Sequence, residues 1–250
     1  MCGVDISDAN RGTVNAYSAL TDEFYDQLGD DGGFNRRSLL NPAIFGLLGD
    51  VGGNRILDAG CGHGYLSRLL AVRGAVVTGV EPAEVPYRYA VRREEQHPLG
   101  ITYLQRDLSR LGEVGGPFDA VIANMVLLDI PDWRSALEHC ITVVRGGGAL
   151  IYSLHHPCWV PGNFDTWAAR GAVEIREYLN EYVQDFEGVA PNFHRPLATY
   201  VNETISQGCD LYEIVEPKLA AADVEAPEQE ILTRLPNFIV IGARKRVVSN

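Results

Sequence analysis

The sequence lacks the features of a metal-binding, disulfide-linked or membrane-spanning chain. Its five cysteines are scattered and form no C-x-x-C pair, which supports neither a zinc site nor a disulfide framework and predicts reduced thiols. No uninterrupted apolar run is long enough to cross a bilayer, and residues 1–8 have neither a basic region nor an apolar core. We therefore expect a cytoplasmic protein with no metal and no membrane partner.

Positive charge is also scarce. The chain has 21 Lys and Arg residues against 33 Asp and Glu residues, which gives a net charge of -12. Because binding to phosphate backbones depends on clustered basic side chains, this balance argues against a nucleic-acid partner and favours a small or peptidic substrate. The 250 residues, 46% of them hydrophobic, can bury the core of one α/β domain with additions. The oligomeric state stays open.

The stretch R-I-L-D-A-G-C-G-H-G-Y at residues 55–65 carries the strongest local pattern. Residues 55–58 predict a short buried strand, and apolar positions recur at helical spacing from Tyr65 onward. The three glycines between them therefore occupy a strand-to-helix turn, where a ligand can lie against bare backbone beside free N–H groups. The dinucleotide fingerprint G-x-G-x-x-G would need a glycine at Tyr65, so a nicotinamide oxidoreductase is the least favoured interpretation.

The rest of the chain predicts an alternation of strands and helices. Helices alternate with strands from residue 55 to 154, so right-handed crossovers should build a parallel sheet covered on both faces. The helix capped by Asp132 is expected to close at Arg145 and Gly146. Residues 216–236 are acidic, contain three prolines and predict a surface loop. Further strands are predicted at residues 75–80, 101–105, 118–124, 149–154, 209–215 and 237–244.

The glycine pattern D-x-G-x-G-x-G at residues 58–64 resembles motif I of the class I S-adenosylmethionine-dependent methyltransferases. This resemblance implies a Rossmann-like, doubly wound, seven-stranded α/β sheet of order 3-2-1-4-5-7-6 with an antiparallel last strand. It implies S-adenosyl-L-methionine as the cofactor. It also implies in-line transfer of a methyl group to oxygen or nitrogen of a small metabolite.

The cofactor-binding residues follow from the resemblance and from positions at strand ends. Glu81, followed by Pro82, ends the second strand, where a carboxylate can hold both ribose hydroxyls; a solvated acid is the alternative. The resemblance implies that Asp107 accepts a hydrogen bond from the adenine amine and that Leu108 contacts the ring, whereas capping of a turn is the alternative for Asp107. The other predicted cofactor-binding residues are Tyr17, Tyr25, Asp58, Gly60, Cys61, Gly62, Gly64, Asn124, Met125 and Val126.

We expect one methyltransferase domain with four parts. They are an N-terminal helical cover (1–50), a cofactor-binding core (51–155), a substrate-cover insert (156–195) and a C-terminal completion of the sheet (196–250). The resemblance implies that Tyr17 and Tyr25 of the cover close over the cofactor; two helices that only pack on the sheet are the alternative. The insert could wall a substrate pocket, or form a dimer contact or an extra packing layer, through its aromatic residues Trp159, Phe164, Trp167, Tyr178, Tyr182, Phe186 and Phe193.

Methyl transfer requires a proton acceptor where the nucleophile carries a proton, and histidine can serve near neutral pH. The segment S-L-H-H-P leaves the fifth strand and looks like the S-x-x-H-P of the same enzymes. His156 is the first predicted base, His194 the second, and His155 is a further candidate; structural histidines are the alternative. Two other functions stay open: methylation of a peptide or protein amine, and a non-catalytic regulatory module that binds S-adenosylmethionine.

Overall fold

The computed structural model describes residues 4–184 and 190–247. These residues form a central seven-stranded sheet. Its strands pair in the order β3-β2-β1-β4-β5-β9-β8, parallel from β3 to β5, with β9 antiparallel to both of its neighbours. The predicted order 3-2-1-4-5-7-6 is confirmed, since β8 and β9 are the sixth and seventh strands of this sheet. The described strands are β1 (Arg55–Ala59), β2 (Val76–Val80), β3 (Thr102–Leu104), β4 (Phe118–Asn124), β5 (Val144–His155), β6 (Tyr182–Gln184), β7 (Asn192–His194), β8 (Cys209–Val215) and β9 (Phe238–Lys245).

Helices cover both faces of the sheet. Side chains along β1 alternate between two core layers, because successive strand residues point to opposite faces. Leu57 packs in the layer that contains Trp133, and Ile56 packs in the layer that contains Leu66. This confirms the doubly wound architecture. The described α-helices are α1 (Arg11–Ser18), α2 (Asp22–Leu28), α3 (Asn41–Leu48), α4 (Tyr65–Val72), α5 (Glu84–Gln96), α6 (Trp133–Val143), α7 (Asn163–Arg170) and α8 (Leu197–Ser206).

The predicted glycine closure of α6 is wrong. The helix ends at Val143 and β5 begins at the next residue, so Arg145 and Gly146 lie inside the strand. The pairing between β4 and β5 shifts register here, and a Cβ at Gly148 would lie 2.8 Å from the backbone oxygen of Asp119. The glycines therefore accommodate an irregular strand rather than a turn.

The segment 216–236 is not the surface loop that its composition predicts. It contains two 3₁₀ turns, Ala221–Asp223 and Pro227–Thr233. Three of its apolar side chains, Leu219, Ile231 and Leu232, are at most 2% exposed and join the core layer that contains Ile56. A few well-spaced apolar residues thus anchor an otherwise acidic segment.

The segment between β5 and α8 contains α7 and a two-stranded hairpin of β6 and β7. Phe193 in β7 donates a backbone hydrogen bond to the Leu128 carbonyl at 2.8 Å. This bond ties the hairpin to the connection between β4 and α6, which borders the site described below.

Candidate functional site

A cavity of about 240 Å³, here called the main cavity, lies at the carboxyl ends of β1, β2 and β4. In a parallel α/β sheet this edge is where ligands bind. Helices α1 and α2 cover it. The predicted cofactor-binding residues that line it are Tyr17, Tyr25, Gly60, Cys61, Gly62, Glu81, Pro82, Asp107, Leu108, Asn124, Met125 and Val126.

The glycine turn after β1 presents bare backbone to the main cavity. Gly60 and Gly62 have φ values of 74° and 53°, in the left-handed region that favours glycine. The backbone N–H groups of Gly60 and Cys61 both donate to the Val80 carbonyl, at 2.8 and 2.9 Å. A Cβ added at Gly62 would meet no atom within 4 Å, because this residue faces the open space of the cavity. The turn is therefore fixed by β2 and open toward a ligand.

Glu81 stands beside this turn as a fixed carboxylate. Its two oxygens accept backbone hydrogen bonds from Gly62 at 3.0 Å and from Ala83 at 2.8 Å. Burial raises the pKa of Glu81 to about 7, although both hydrogen bonds oppose the shift. Since each carboxylate oxygen accepts two hydrogen bonds, both oxygens can accept one more from a ligand.

Asp107 lines the main cavity, and its carboxylate is already bound by groups of the protein. Its carboxylate accepts hydrogen bonds from the backbone N–H groups of Ser7 and Ser109 and from the Asn10 amide, which reaches both of its oxygens. The side chain is 2% exposed, and the Asn10 amide nitrogen divides its donation between the two carboxylate oxygens and the Ser109 hydroxyl. These bonds favour the capping alternative, in which Asp107 caps the turn that follows it and holds residues 7–10 against the sheet. Its contact with an adenine amine stays a prediction.

Two of the predicted cofactor contacts, Asp58 and Gly64, do not line the main cavity. Asp58 is 2% exposed, lies outside the cavity lining and accepts a hydrogen bond from the Ser67 hydroxyl at 2.6 Å. Burial raises its pKa to about 6. A Cβ at Gly64 would lie 2.4 Å from the Tyr103 hydroxyl, so this glycine permits close packing behind the turn. Both residues therefore support the glycine turn through contacts inside the protein.

The structure does not bring the predicted histidine bases to the main cavity. His155, His156 and His194 are all described residues, none lines that cavity, and all three line a small second cavity of about 10 Å³. His156 accepts from the Cys158 backbone through Nδ1 at 3.1 Å, and its Nε2 lies 3.0 Å from a Glu216 carboxylate oxygen. Burial lowers the pKa of His156 and brings that of His155 to about 4.

The insert aromatics do not wall the main cavity. None of those within the described residues lines it, and Phe186 lies outside the described residues. Trp159 is 5% exposed in the core, and Tyr182 stacks on His194 with ring centroids 4.6 Å apart. The insert reaches the cavity lining through a polar contact instead, which Asn192 makes to Asp129.

Asp129 is a site residue that the sequence analysis missed. It lines the main cavity, is 6% exposed and accepts a hydrogen bond from the Tyr17 hydroxyl at 2.6 Å and another from the Asn192 amide. Burial raises its pKa to about 7, while both hydrogen bonds lower it. Sequence offered a weak signal, namely an acid in an otherwise apolar connection after β4.

Arg36 and His63 are two more cavity residues that were not predicted. Arg36 lies in a π-helical turn, Arg36–Leu40, and its guanidinium carbon is 5.9 Å from the Tyr65 ring centroid. The His63 ring stacks between those of Tyr25 and Tyr65 at 5.3 and 5.5 Å. The middle residue of G-H-G is the signal that was available for His63.

Asn124 and Met125 form the rim on the β4 side. Met125 has a φ of 59°, unusual for a residue with a side chain, and its N–H donates to the Ser153 hydroxyl at 2.9 Å. Asn124 accepts from Ser153 at 2.6 Å and donates to the Tyr65 hydroxyl at 2.6 Å. Side chains from β4, β5 and α4 thus hold a strained backbone at the cavity edge.

No group of three or more His, Cys, Asp or Glu side chains within 4–184 and 190–247 is placed to hold a metal ion. Over the same residues, no helix has the length and apolar character required to span a membrane.

Sequence comparison finds methyltransferases. The family described as "Methyltransferase domain" matches residues 56–148. Ubiquinone biosynthesis O-methyltransferase from Azotobacter vinelandii is 28% identical over 152 residues, which cover 59% of this chain and 64% of that relative. The protein of the same name from Coxiella burnetii is 36% identical over 101 residues, which cover 40% of this chain and 43% of that relative. The chain therefore spans less than two thirds of the length of these curated relatives.

Structure comparison covers more of the chain. The S-adenosylmethionine-dependent methyltransferase from Mesorhizobium loti has a TM-score of 0.72 and 27% identity, over 87% of this chain and 100% of that chain. Magnesium protoporphyrin IX methyltransferase from Synechocystis PCC 6803, solved with bound SAH, shares the fold with a TM-score of 0.64 and 19% identity, over 95% of this chain and 100% of that chain. The glycine turn and Glu81 thus lie within the region that matches the methyltransferase domain family, and the chain as a whole is similar to S-adenosylmethionine-dependent methyltransferases.

Proposed function

We propose that this protein binds S-adenosylmethionine in the main cavity and catalyses transfer of its methyl group to an oxygen of a small acceptor molecule. The observation that carries the proposal is the pair formed by the Gly62 backbone, which faces the cavity, and the Glu81 carboxylate beside it. Bound there, the cofactor supplies a methyl group attached to a positively charged sulfur. A nucleophile that attacks this methyl carbon in line takes the methyl group, and the sulfur leaves as part of a thioether.

The residues present fit such a cofactor. The bare backbone at Gly62 accommodates a ligand where a Cβ would occupy its space. Glu81 has a free acceptor position on each oxygen for the two ribose hydroxyls. Leu108 and Ile130 supply apolar contacts for the adenine ring, and the Arg36 guanidinium supplies positive charge for a carboxylate.

Asp129 is the group we assign to the acceptor's proton. A general base is most effective when its pKa lies near the working pH, and the pKa of Asp129 is about 7 because of burial. Tyr17 and Asn192 hold its two oxygens in a fixed orientation at the cavity wall. His155, His156 and His194 stay competing candidates from the sequence, and loss of turnover in a variant of one of these four residues would identify the base.

Oxygen is the acceptor atom we favour, because the curated relatives reported above are named O-methyltransferases. The net charge of -12 supports an acceptor other than nucleic acid. A peptide or protein amine is the alternative that an acidic surface would also admit.

Two measurements test the proposal. Calorimetry should detect binding of S-adenosylmethionine and of S-adenosylhomocysteine to the folded protein; failure of both ligands to bind would remove it. The protein is then incubated with methyl-deuterated S-adenosylmethionine and an extract of the cells that produce it. We expect a small extract component to gain the labelled methyl mass on oxygen. Label on a peptide amine would replace the acceptor assignment, and binding without methyl loss would indicate a regulatory module.

Gly62→Ala and Gly60→Ala are expected to separate cofactor binding from stability. Each alanine adopts a left-handed conformation that costs about 1 kcal/mol. At Gly60 the new Cβ also lies 2.6 Å from a Val126 methyl group, and such overpacking costs a further ~1–3 kcal/mol. Gly62→Ala should therefore lower the melting temperature less than Gly60→Ala. It should nevertheless weaken binding of S-adenosylhomocysteine at least about tenfold, because the methyl group of the new alanine occupies space that the ligand needs. Unchanged affinity in Gly62→Ala would contradict contact between the ligand and this turn.

A further inference from the structure

Two buried polar atoms without a hydrogen-bond partner belong to neighbouring rings in the lining of the main cavity. They are the hydroxyl of Tyr25, whose side chain is 4% exposed, and Nε2 of His63, whose side chain is 5% exposed. Both residues line the cavity, and their rings stack with centroids 5.3 Å apart. A buried polar atom that lacks a partner costs about 1–3 kcal/mol, so such atoms in a cavity indicate contact with a ligand.

The two atoms offer opposite hydrogen-bonding roles. The His63 ring is neutral, because burial lowers its pKa to about 3. A neutral imidazole has one donor and one acceptor nitrogen, and the unpartnered Nε2 can take the acceptor role. The Tyr25 hydroxyl keeps its proton, since burial raises its pKa, and it can donate.

The neighbours of these two atoms indicate which part of the cofactor they bind. His63 is part of the glycine turn and contacts Tyr65, above which the Arg36 guanidinium lies. Leu108 and Asp107, which also line the cavity, follow β3 instead, and the Asp107 carboxylate is held by the N-terminal segment. A zwitterionic amino-acid group, with one anionic acceptor and one cationic donor, matches the part of the lining that contains a donor, an acceptor and an arginine.

We propose that Tyr25 and His63 form the subsite for the amino-acid end of the cofactor. The Tyr25 hydroxyl donates to the carboxylate beside Arg36, and His63 Nε2 accepts from the α-ammonium group. This inference rests on the proposed binding of S-adenosylmethionine in the main cavity, and it adds a residue-level recognition of one part of that ligand.

Calorimetry with two probes tests it. S-adenosylhomocysteine carries the amino-acid end, whereas 5′-methylthioadenosine has the same nucleoside and lacks that end. Tyr25→Phe and His63→Phe keep an aromatic ring and remove one hydrogen-bonding atom. Each is expected to weaken S-adenosylhomocysteine about tenfold, as for loss of a hydrogen bond to a charged group, and to leave 5′-methylthioadenosine affinity unchanged within about twofold.

Tyr89→Phe is the matched control. Tyr89 belongs to the same aromatic group, with its ring centroid 5.6 Å from that of Tyr25, but its hydroxyl donates to Asp26 at 2.7 Å. This variant should bind both probes as the wild type does. In the free protein, Tyr25→Phe should not lower the melting temperature, because no protein hydrogen bond is lost; Tyr89→Phe should lower it slightly.

The outcomes are distinct. Wild-type affinity for S-adenosylhomocysteine in both Tyr25→Phe and His63→Phe would overturn the subsite, while the proposed function would stand. Equal weakening of both probes would also overturn it, since the residues would then shape the cavity without recognising the amino-acid end. If the wild type binds neither probe, the proposed function fails and the subsite with it.

Discussion

Replacing Glu81 with glutamine is expected to weaken the binding of S-adenosylhomocysteine about 100-fold, since two charge-assisted hydrogen bonds to the ribose are each worth at least about 1.5 kcal/mol. The amide cannot simply take the place of the carboxylate. Both Glu81 oxygens accept hydrogen bonds from backbone N–H groups. The NH₂ group of glutamine would therefore point at the N–H group of either Gly62 or Ala83, and two donors cannot form a hydrogen bond with each other. Calorimetric titration of both proteins measures the loss directly.

Glu84→Gln is the control for this substitution. Glu84 lies in the first turn of α5, three residues beyond Glu81, and its exposed carboxylate is 3.6 Å from Arg88. The residue does not line the main cavity, so its variant should keep wild-type affinity. Comparable affinity in the Glu81→Gln protein would contradict a ribose contact at this carboxylate.

The affinity of the wild type for S-adenosylhomocysteine should also rise with pH. Burial raises the pKa of Glu81 to about 7, so the side chain is protonated in the free protein at pH 5.5. Because the ligand binds the carboxylate form, complex formation below that pKa must release a proton, and affinity increases up to about tenfold per pH unit before it levels off above pH 7. Titrations in buffers of different ionisation enthalpy measure the released proton. In Glu81→Gln this dependence should be lost, and a pH-independent affinity in the wild type would contradict the assignment.

The sheet could be predicted from sequence because most of its strands are short, continuous apolar runs. Residues 118–124 and 209–215 coincide with β4 and β8, and the other predicted strands apart from β5 differ from the structure by one or two residues. The prediction fails at the start of β5 because glycines after a helix usually mark its end, whereas here they let the strand pass close to Asp119. It also fails at residues 216–236, where three apolar side chains outweigh acidic neighbours.

The candidate site was predictable where function depends on local chain geometry. Gly60, Gly62 and Glu81 follow directly from the ends of β1 and β2. Asp107, in contrast, has a partner that the local pattern does not indicate, because Asn10, far away in sequence, donates to its carboxylate. Such long-range partners leave no periodic pattern. The cavity positions of Asp129, Arg36 and His63 likewise depend on how the helical cover packs, which local sequence does not encode.

Asp129→Asn is expected to lower the turnover number at least about 100-fold, the effect typical of losing a general base, and to change S-adenosylhomocysteine affinity by less than about twofold. The asparagine keeps the size of the side chain, and the Tyr17 hydroxyl can rotate to accept from its amide. Asp132→Asn is the control, because Asp132 caps α6 without a side-chain hydrogen bond. Turnover is measured at saturating cofactor with the extract component that acquires the deuterated methyl group.

The pH profile distinguishes a base from a residue that only supports the fold. Turnover of the wild type should rise through about pH 7, where Asp129 loses its proton, and then level off. Tyr17→Phe should move this rise to higher pH, because the hydrogen bond from Tyr17 lowers the pKa of Asp129. A rise that stays in place in Tyr17→Phe, or wild-type turnover in Asp129→Asn, would exclude Asp129 as the base. A different result would assign the base to the second cavity, namely loss of turnover with unchanged cofactor affinity in His156→Ala, His194→Ala or His155→Ala. The histidine would then accept the proton of the methyl acceptor, and the hairpin of β6 and β7 would have to move to admit that molecule.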